Sequence, residues 1–348
     1  MINPKTICIV GGGGQCHAIA PWLSNKGYNV NILTNRPELW HKEFSYKLPD
    51  GTLHTAELGK ISDEPQDVIS EADVVIVTVP GFANAEELKK IKPYLKNDAF
   101  VGGVFSSNGF FFDALEILGD KHILWGFQRV PFIGKVLEYG KTGALLGYKK
   151  DFKIAIENTS DANKQAFKNW VQEAFGQPTT LLNSYLEASL SNSNPLLHPA
   201  RIYTWLKSWD GKILTSKPLL YEEWTTEASE IYIKLDKELH DLINVLPMSN
   251  DALPFVLDYY ESTDAESLAK KIRSIDSFKG LPVPLKEVNH GWLPDVNSRY
   301  FLEDFNCSLA RYKMLADANH VACPTIDLVY QWGQDFLTKY SDNTGEKS

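Results

Sequence analysis

The chemistry in this sequence begins with a run of four glycines. Ile7-Cys8-Ile9-Val10 is a short apolar run, and Gly11-Gly12-Gly13-Gly14-Gln15-Cys16-His17-Ala18 follows it directly. Gly11 permits a tight turn after a strand, and Gly13 lets a ligand approach the backbone. A helix opening at Gly14, Gln15 and Cys16 would point free amides and a positive dipole end at an anion. Cys16 stands where a G-x-G-x-x-G loop has its third glycine. That position serves helix–strand packing, and cysteine is small. The loop sits within the first dozen residues, opens a helix, and is followed by a second strand at the expected distance, so it reads as a pyrophosphate cradle for a dinucleotide. Its rival is a plain glycine-rich turn in an unrelated α/β protein.

The second strand ends in Leu33-Thr34-Asn35-Arg36. A carboxylate here would bond the ribose 2′-hydroxyl of NAD, but none occurs until Glu38. Arg36 can pair with a 2′-phosphate and stack on adenine, while Thr34 and Asn35 can donate to it. The expected cofactor is therefore NADP(H), with NAD(H) as the alternative if Arg36 is only a solvated loop arginine. Val79, Pro80 and Gly81 end a later strand at the same edge. So do Ser106-Ser107-Asn108-Gly109, and both segments serve equally well as turns.

Acid–base chemistry is confined to the second half. In Ser191-Asn192-Ser193-Asn194-Pro195-Leu196-Leu197-His198-Pro199-Ala200-Arg201, Asn194-Pro195 reads as a helix start, with His198 one turn on. A histidine titrates near neutrality and can give or take the proton that accompanies reduction. Further on comes Pro294-Asp295-Val296-Asn297-Ser298-Arg299-Tyr300-Phe301-Leu302-Glu303-Asp304-Phe305. Arg299 can hold a carboxylate bidentately, and Asp304 can orient a histidine and stabilise its imidazolium. Taken singly, His198 fits a structural role, and Arg299 with Glu303 fits a surface ion pair at helical spacing.

The chain has 348 residues, 43% of them hydrophobic, which suffices for two cores. Apolar runs at Thr6–Val10, Tyr28–Leu33, Asp73–Val79, Ala99–Val104 and His122–Phe127 alternate with helix-forming stretches. That alternation predicts a doubly wound, mostly parallel α/β Rossmann domain over residues 1–183. Within it, Phe44–Leu58 around Pro49-Asp50-Gly51 reads as a surface hairpin. Gly143–Tyr148 with Phe152–Ile156 reads as another, followed by a helix and a last strand near Thr179–Leu182. Beyond Asn183 strand runs give way to helical periodicity. Ile231, Leu235, Leu239, Leu242 and Leu246 share one face, and Trp205, Trp209, Trp224 and Trp292 add bulk. Residues 184–348 are therefore expected to form a mainly helical domain.

A net charge of -9 without a basic tract argues against nucleic acid and anionic membranes as partners. No apolar stretch is long enough for a signal core or a membrane span, and the four cysteines show no C-x-x-C spacing. A reducing cytoplasm and no metal site are the expectation. A short polar tail is expected after Tyr340.

Taken together, the glycine loop with His17-Ala18, the central Asn194-Pro195-Leu196-Leu197-His198-Pro199 and the later Ser298-Arg299-Tyr300-Phe301-Leu302-Glu303-Asp304 resemble the octopine/nopaline (opine) dehydrogenase family. Ala322-Cys323-Pro324-Thr325-Ile326-Asp327 resembles a helix-opening segment of that family. The resemblance implies a Rossmann domain followed by a helical domain, with catalysis in the cleft between them. It implies NAD(P)H-dependent reductive condensation of an amino acid with a 2-oxo acid. It casts His198 as general acid/base, Asp304 as its orienting partner, and Arg299 and Asn194 as substrate binders. Phe305-Asn306-Cys307-Ser308 departs from the usual continuation after Asp304, which leaves the amino acid open, and oligomeric state is not legible. Two other readings share this architecture: an NADP-dependent 2-oxo or 3-hydroxy acid reductase, and a non-catalytic NADP(H)-sensing protein.

Overall fold

Residues buried on both sides of a strand read as unbroken apolar runs, and the first half of the chain is built on them. A computed structural model describes residues 2–192 and 194–340. Ser193 and the polar tail expected after Tyr340 lie outside the described residues. The chain divides into two units, residues 1–191 and 192–348.

Unit 1 runs β1 (Thr6–Val10), α1 (Gly14–Asn25), β2 (Asn29–Leu33), β3 (Glu43–Lys47), β4 (Leu53–Glu57), β5 (Ile61–Ser62), α2 (Pro65–Ile69), β6 (Val74–Val77), α3 (Asn84–Ile91), β7 (Phe100–Gly103), α4 (Phe110–Leu118), β8 (Ile123–Phe127), β9 (Phe132–Glu138), β10 (Thr142–Tyr148), β11 (Phe152–Glu157), α5 (Asp161–Phe175), β12 (Thr179–Leu181) and α6 (Tyr185–Leu190). Eight strands form one sheet in the order β12-β11-β8-β7-β6-β1-β2-β5. Its pairs are parallel except β11 with β8. Alternate residues of β1 feed two cores, Ile7 and Ile9 on one face, Cys8 and Val10 on the other. Because β1 lies between β2 and β6, the chain leaves it toward opposite sides of the sheet. That arrangement opens a crevice beyond the carboxyl end of β1, where the glycine run lies.

A second sheet, β4-β3-β10-β9, lies across α1. The hairpin expected at Phe44–Leu58 is there as β3 and β4, with Asp50 accepting from the Thr52 amide in the turn. The other expected hairpin is corrected. β10 pairs with β9 and β3, whereas β11 joins the large sheet beside β8 and β12. Burial explains the separation: Ile154, Ala155 and Ile156 of β11 are enclosed on both faces, and Gly143 of β10 lies flat against the His17 carbonyl on α1. That carbonyl has no intrahelical donor, because Pro21 occupies the position four residues on. β9 was not expected at all. Its inward position between Phe132 and Val136 is Gly134, which breaks the apolar alternation because the backbone of α1 fills the space.

Unit 2 comprises α7 (Asn194–Leu206), α8 (Thr226–Ile243), α9 (Val256–Tyr259), α10 (Ala265–Ser274), a hairpin β13 (Leu285–Val288) and β14 (Gly291–Pro294), a π-helix (Tyr300–Leu309), α11 (Ala310–Ala318) and α12 (Pro324–Tyr340). It is mainly helical, as the periodicity requires, and the hairpin corrects the expectation that strands vanish after Asn183. His290 makes its turn at φ 73. On α8, Leu235, Leu239 and Leu242 are fully buried, while Tyr232 takes the place expected of Ile231. The Thr225 hydroxyl caps α8 by accepting from the Ala228 amide. α6 packs on β8 and β11 within unit 1, so the division falls past the expected boundary at residue 183. No described helix is long and apolar enough to cross a membrane.

The contact between α1 and β9 brings helix and strand backbones together with no room for a side chain. A Cβ at Gly14 would lie 2.5 Å from the Gly134 carbonyl oxygen and 3.1 Å from its carbon. Both are backbone atoms, so relief requires the helix and sheet to part. Gly14→Ala is expected to lower stability by about 1–3 kcal/mol in urea denaturation, in the range of overpacked cores. Gly13→Ala, whose Cβ meets nothing within 4 Å, should cost less. A Gly14→Ala protein as stable as the parent would overturn the constraint.

Candidate active site

In unit 1 the glycine run, the end of β2, the segment after β6 and the β9–β10 turn enclose a cavity of about 420 Å³. Gly11 adopts φ +109, which side chains rarely allow, and its amide donates to the Leu33 carbonyl. Gly12 faces Thr34 and the Tyr139 hydroxyl, while the space over Gly13 is open. No side chain caps α1 at Gly13. Its first amides are thus left for an anion, the chemistry a pyrophosphate requires. Of the expected cofactor residues, Gly11, Gly13, Thr34, Asn35, Arg36, Val79 and Pro80 line this cavity. Gly14, Gln15 and Cys16 do not line it. Gly14 abuts Gly134, Cys16 is fully buried as a packing residue, and the Gln15 amide donates to the Phe132 carbonyl at 2.9 Å.

Ala83, Glu87, Val136 and Tyr139 complete the wall and were not foreseen. Tyr139 follows the unforeseen strand β9. Its hydroxyl lies 3.2 Å from Thr34 Oγ1, and the Arg36 guanidinium sits 4.2 Å from its ring centre. Glu87 lies on α3, in a stretch whose sequence is helix-forming, and burial pushes its carboxyl above the ordinary range. At the same edge the Asn84 and Asn108 side-chain amides meet at 3.2 Å, tying the loops after β6 and β7 together. His17 fixes Tyr139 from below. Its Nδ1 donates to the Gly13 carbonyl at 3.0 Å, its Nε2 accepts from the Gly140 amide at 2.9 Å, and its ring packs against Trp40 and Tyr139. Burial holds His17 below the usual histidine value.

In unit 2, His198 is buried on α7. Its Nδ1 lies 2.7 Å from Asp304 Oδ2, and its Nε2 lies 2.9 Å from the Tyr221 hydroxyl. Asp304 reaches α7 from the π-helix, whose wide turn is a frequent device at functional sites. Tyr300 meets the imidazole edge-on at 4.8 Å. Arg299, at the start of the π-helix, lies 5.2 Å from the Tyr300 ring centre. Partial desolvation pulls its guanidinium down, but its bond to Tyr300 and the nearby Asp304 and Glu303 carboxylates more than offset this. Arg299 is therefore held as a cation. The structure thus brings His198, Asp304 and Arg299 together. Asn194 is exposed at the start of α7, where its amide donates to Asn192 Oδ1.

Tyr221 was missed because it lies in the irregular stretch between α7 and α8, which has no periodicity to read. Its ring stacks on Phe278 at 4.0 Å. Arg201, one turn beyond His198, donates to the Leu220 carbonyl at 3.0 Å and to that of Leu219 at 3.4 Å. The same helix therefore fixes both the histidine and the segment carrying its partner. Burial, with Tyr300, Tyr260 and Asp304 nearby, raises the Tyr221 hydroxyl far above the ordinary tyrosine value. Among the described residues no cluster of histidine, cysteine and carboxylate side chains could hold a metal ion.

Residues 181–337 match the family model of the NAD/NADP octopine/nopaline dehydrogenase alpha-helical domain, and residues 7–121 match that of ketopantoate reductase PanE/ApbA. The chain is 27% identical to octopine dehydrogenase of Pecten maximus, across 96% of this chain and 90% of that one. It is 28% identical to tauropine dehydrogenase of Arabella iricolor, across 96% and 91%. A solved octopine dehydrogenase in complex with NADH and L-arginine superposes with a TM-score of 0.82 at 26% identity, covering 96% of this chain and 90% of that one. These matches support the opine dehydrogenase family, whose members are NAD(P)-dependent oxidoreductases acting on CH–NH bonds. The chain shares the fold of these relatives, a Rossmann unit followed by a mainly helical one.

His17 gives the protein a pH-dependent component of stability. An unfolded histidine titrates at about 6.5, and the folded His17 titrates lower. The unfolded chain therefore takes the proton first as pH falls. The contribution is complete above the unfolded value and is lost as pH drops through the folded one. Urea denaturation at pH 7.5 and pH 5 should show the parent losing stability toward acid. His17→Gln should lose less over the same window; an unchanged pH slope would refute the assignment.

Proposed function

We propose that this protein is an opine dehydrogenase that catalyses the NADPH-dependent condensation of an amino acid with a 2-oxo acid, giving a secondary-amine dicarboxylate. The observation that carries this reading is the His198 imidazole, held at one nitrogen by Asp304 and beside the cation Arg299. Condensation needs a group that gives and takes protons, and a cation that holds a carboxylate. Arg299 neutralises the 2-oxo acid carboxylate and fixes the reacting carbon. Asp304 accepts a hydrogen bond from Nδ1–H, sets the tautomer and stabilises the imidazolium, which makes Nε2, bonded to the Tyr221 hydroxyl, the acid/base position. Asn194, exposed at the start of α7, is assigned to substrate. Bound cofactor supplies the hydride that reduces the imine carbon. The relatives include both an octopine and a tauropine dehydrogenase, and the departure at Phe305–Ser308 leaves the amine of this chain open.

The preference for NADPH rests on Arg36. Its guanidinium is already stacked on Tyr139 and no carboxylate stands at Asn35, so a 2′-phosphate would meet Arg36 and the Thr34 hydroxyl. Glu87 on the cavity wall favours the second reading, NADH, because a carboxylate there accepts from hydroxyls and repels a phosphate.

Two experiments separate these possibilities. NADPH oxidation should be followed with pyruvate or 2-oxoglutarate, each with and without a panel of amino acids. Amine-dependent oxidation is expected, and His198→Ala should lose about 10²–10⁴-fold in rate while keeping cofactor affinity. Oxidation that ignores the amine would mark a simple oxo-acid reductase, and none at all with His198 dispensable would mark a sensor. For the cofactor, Arg36→Ala should weaken NADPH about 10- to 100-fold, the loss of a charge-assisted bond, and NADH far less. Equal losses would overturn the preference.

A further inference from the structure

We propose that Tyr221 is the group that hands the proton to substrate, the last member of a relay running Asp304, His198, Tyr221. This rests on the condensation reading. Both imidazole nitrogens of His198 are occupied: Nδ1 by Asp304 at 2.7 Å, and Nε2 by the Tyr221 hydroxyl at 2.9 Å. A substrate oxygen cannot take the Nε2 position unless Tyr221 leaves it. Tyr221 is not built to leave. It is 5% exposed, its ring is stacked on Phe278 with an interplanar angle of 18°, and Arg201 grips the two carbonyls that precede it. A phenol hydroxyl has one proton and two acceptor sites. It can therefore accept from His198 and donate onward at the same time.

The step balances without any further reagent. An amine and a 2-oxo acid first give a carbinolamine, which must lose its hydroxyl as water. The Tyr221 proton passes to that oxygen and the C–O bond breaks. The nitrogen lone pair forms the C=N bond. The phenolic oxygen takes the Nε2 proton of the imidazolium, so one cation disappears at His198 as one appears at the iminium. Burial raises the Tyr221 hydroxyl far above its usual value. A free tyrosinate is therefore disfavoured, and the two protons must move together.

Tyr221→Phe keeps the ring and its stacking and removes only the hydroxyl. With the substrate pair that the parent uses, kcat should fall at least about ten-fold, near the lower bound for general acid help, with KM for the 2-oxo acid little changed. In mixtures of H₂O and D₂O the parent should give a curved proton inventory, two protons in flight, and Tyr221→Phe a straight one. His198→Ala with Tyr221→Phe should be no slower than His198→Ala alone, because members of one relay are not additive. If Tyr221 only plugs Nε2 until substrate displaces it, Tyr221→Phe will match or exceed the parent rate, and the relay is wrong. Amine-independent oxidation by the parent would sink the condensation reading alone, since a carbonyl oxygen needs the same proton. Absence of any oxidation would sink both.

Discussion

A buried imidazole has two nitrogens, and leaving either without a partner costs roughly 1–3 kcal/mol. That requirement organises both units of this protein. His17 and His198 are each buried and each bonded at both nitrogens. Their partners differ in kind. His17 is held by a backbone carbonyl and a backbone amide, neither of which can share its proton. Its role is to fix distance, tying the glycine run to the turn that carries Tyr139. His198 is held by a carboxylate and a hydroxyl. A carboxylate welcomes the imidazolium, and a hydroxyl can pass a proton in either direction. The same buried residue is a strut in one unit and the proposed acid/base in the other, and the atoms at its two nitrogens decide which.

The strut explains why the second sheet exists. A dinucleotide loop needs a wall opposite the end of β2, and the β9–β10 turn supplies it. To bring that turn within reach, β9 and β10 must lie directly on α1. That demands glycine wherever strand backbone meets helix backbone, at Gly134 and Gly143, and again at Gly14 on the helix. The fourth glycine of the run is thus explained by packing and not by phosphate. Gly11 and Gly13 meet the phosphate-loop requirements, while Gly12 clears Thr34 and Tyr139. Arg36 then lies on Tyr139 as part of a wall assembled from two sheets.

What could be read from the sequence follows from this division. The inner strands of the large sheet were legible because burial on both faces makes them continuous apolar runs, whereas the two-residue, half-buried edge strand β5 was not foreseen. The glycine loop was legible because its mechanics are local. β9 was not, since the glycine that fits it to α1 erases the alternation that marks a strand. For the same reason β10 and β11, adjacent in sequence and similar in composition, were taken for one hairpin although they serve different sheets. In the second unit His198, Arg299 and Asp304 were found through their motifs, and the structure sets them in one cluster. Tyr221 carries no motif and no periodic neighbours. Only the carbonyl grip of Arg201 and the stacking of Phe278 bring it to Nε2, and neither contact leaves a trace in local sequence.

Arg201 therefore has a role that its burial alone would not give it. A buried guanidinium is expensive, and burial pulls its proton affinity down with only partial relief from Glu223. Here its donors satisfy carbonyls at Leu219 and Leu220, groups that an irregular segment would otherwise leave unpaired. One arginine thus compensates loop backbone and, from the turn after His198, sets the loop against the helix that bears that imidazole. Loops are the natural carriers of reactive groups, but a loop is imprecise. Anchoring it to α7 by a bidentate side chain gives Tyr221 the positional definition of a helical residue. This pairs a helix-borne imidazole with a loop-borne hydroxyl without requiring either to come from a regular pattern.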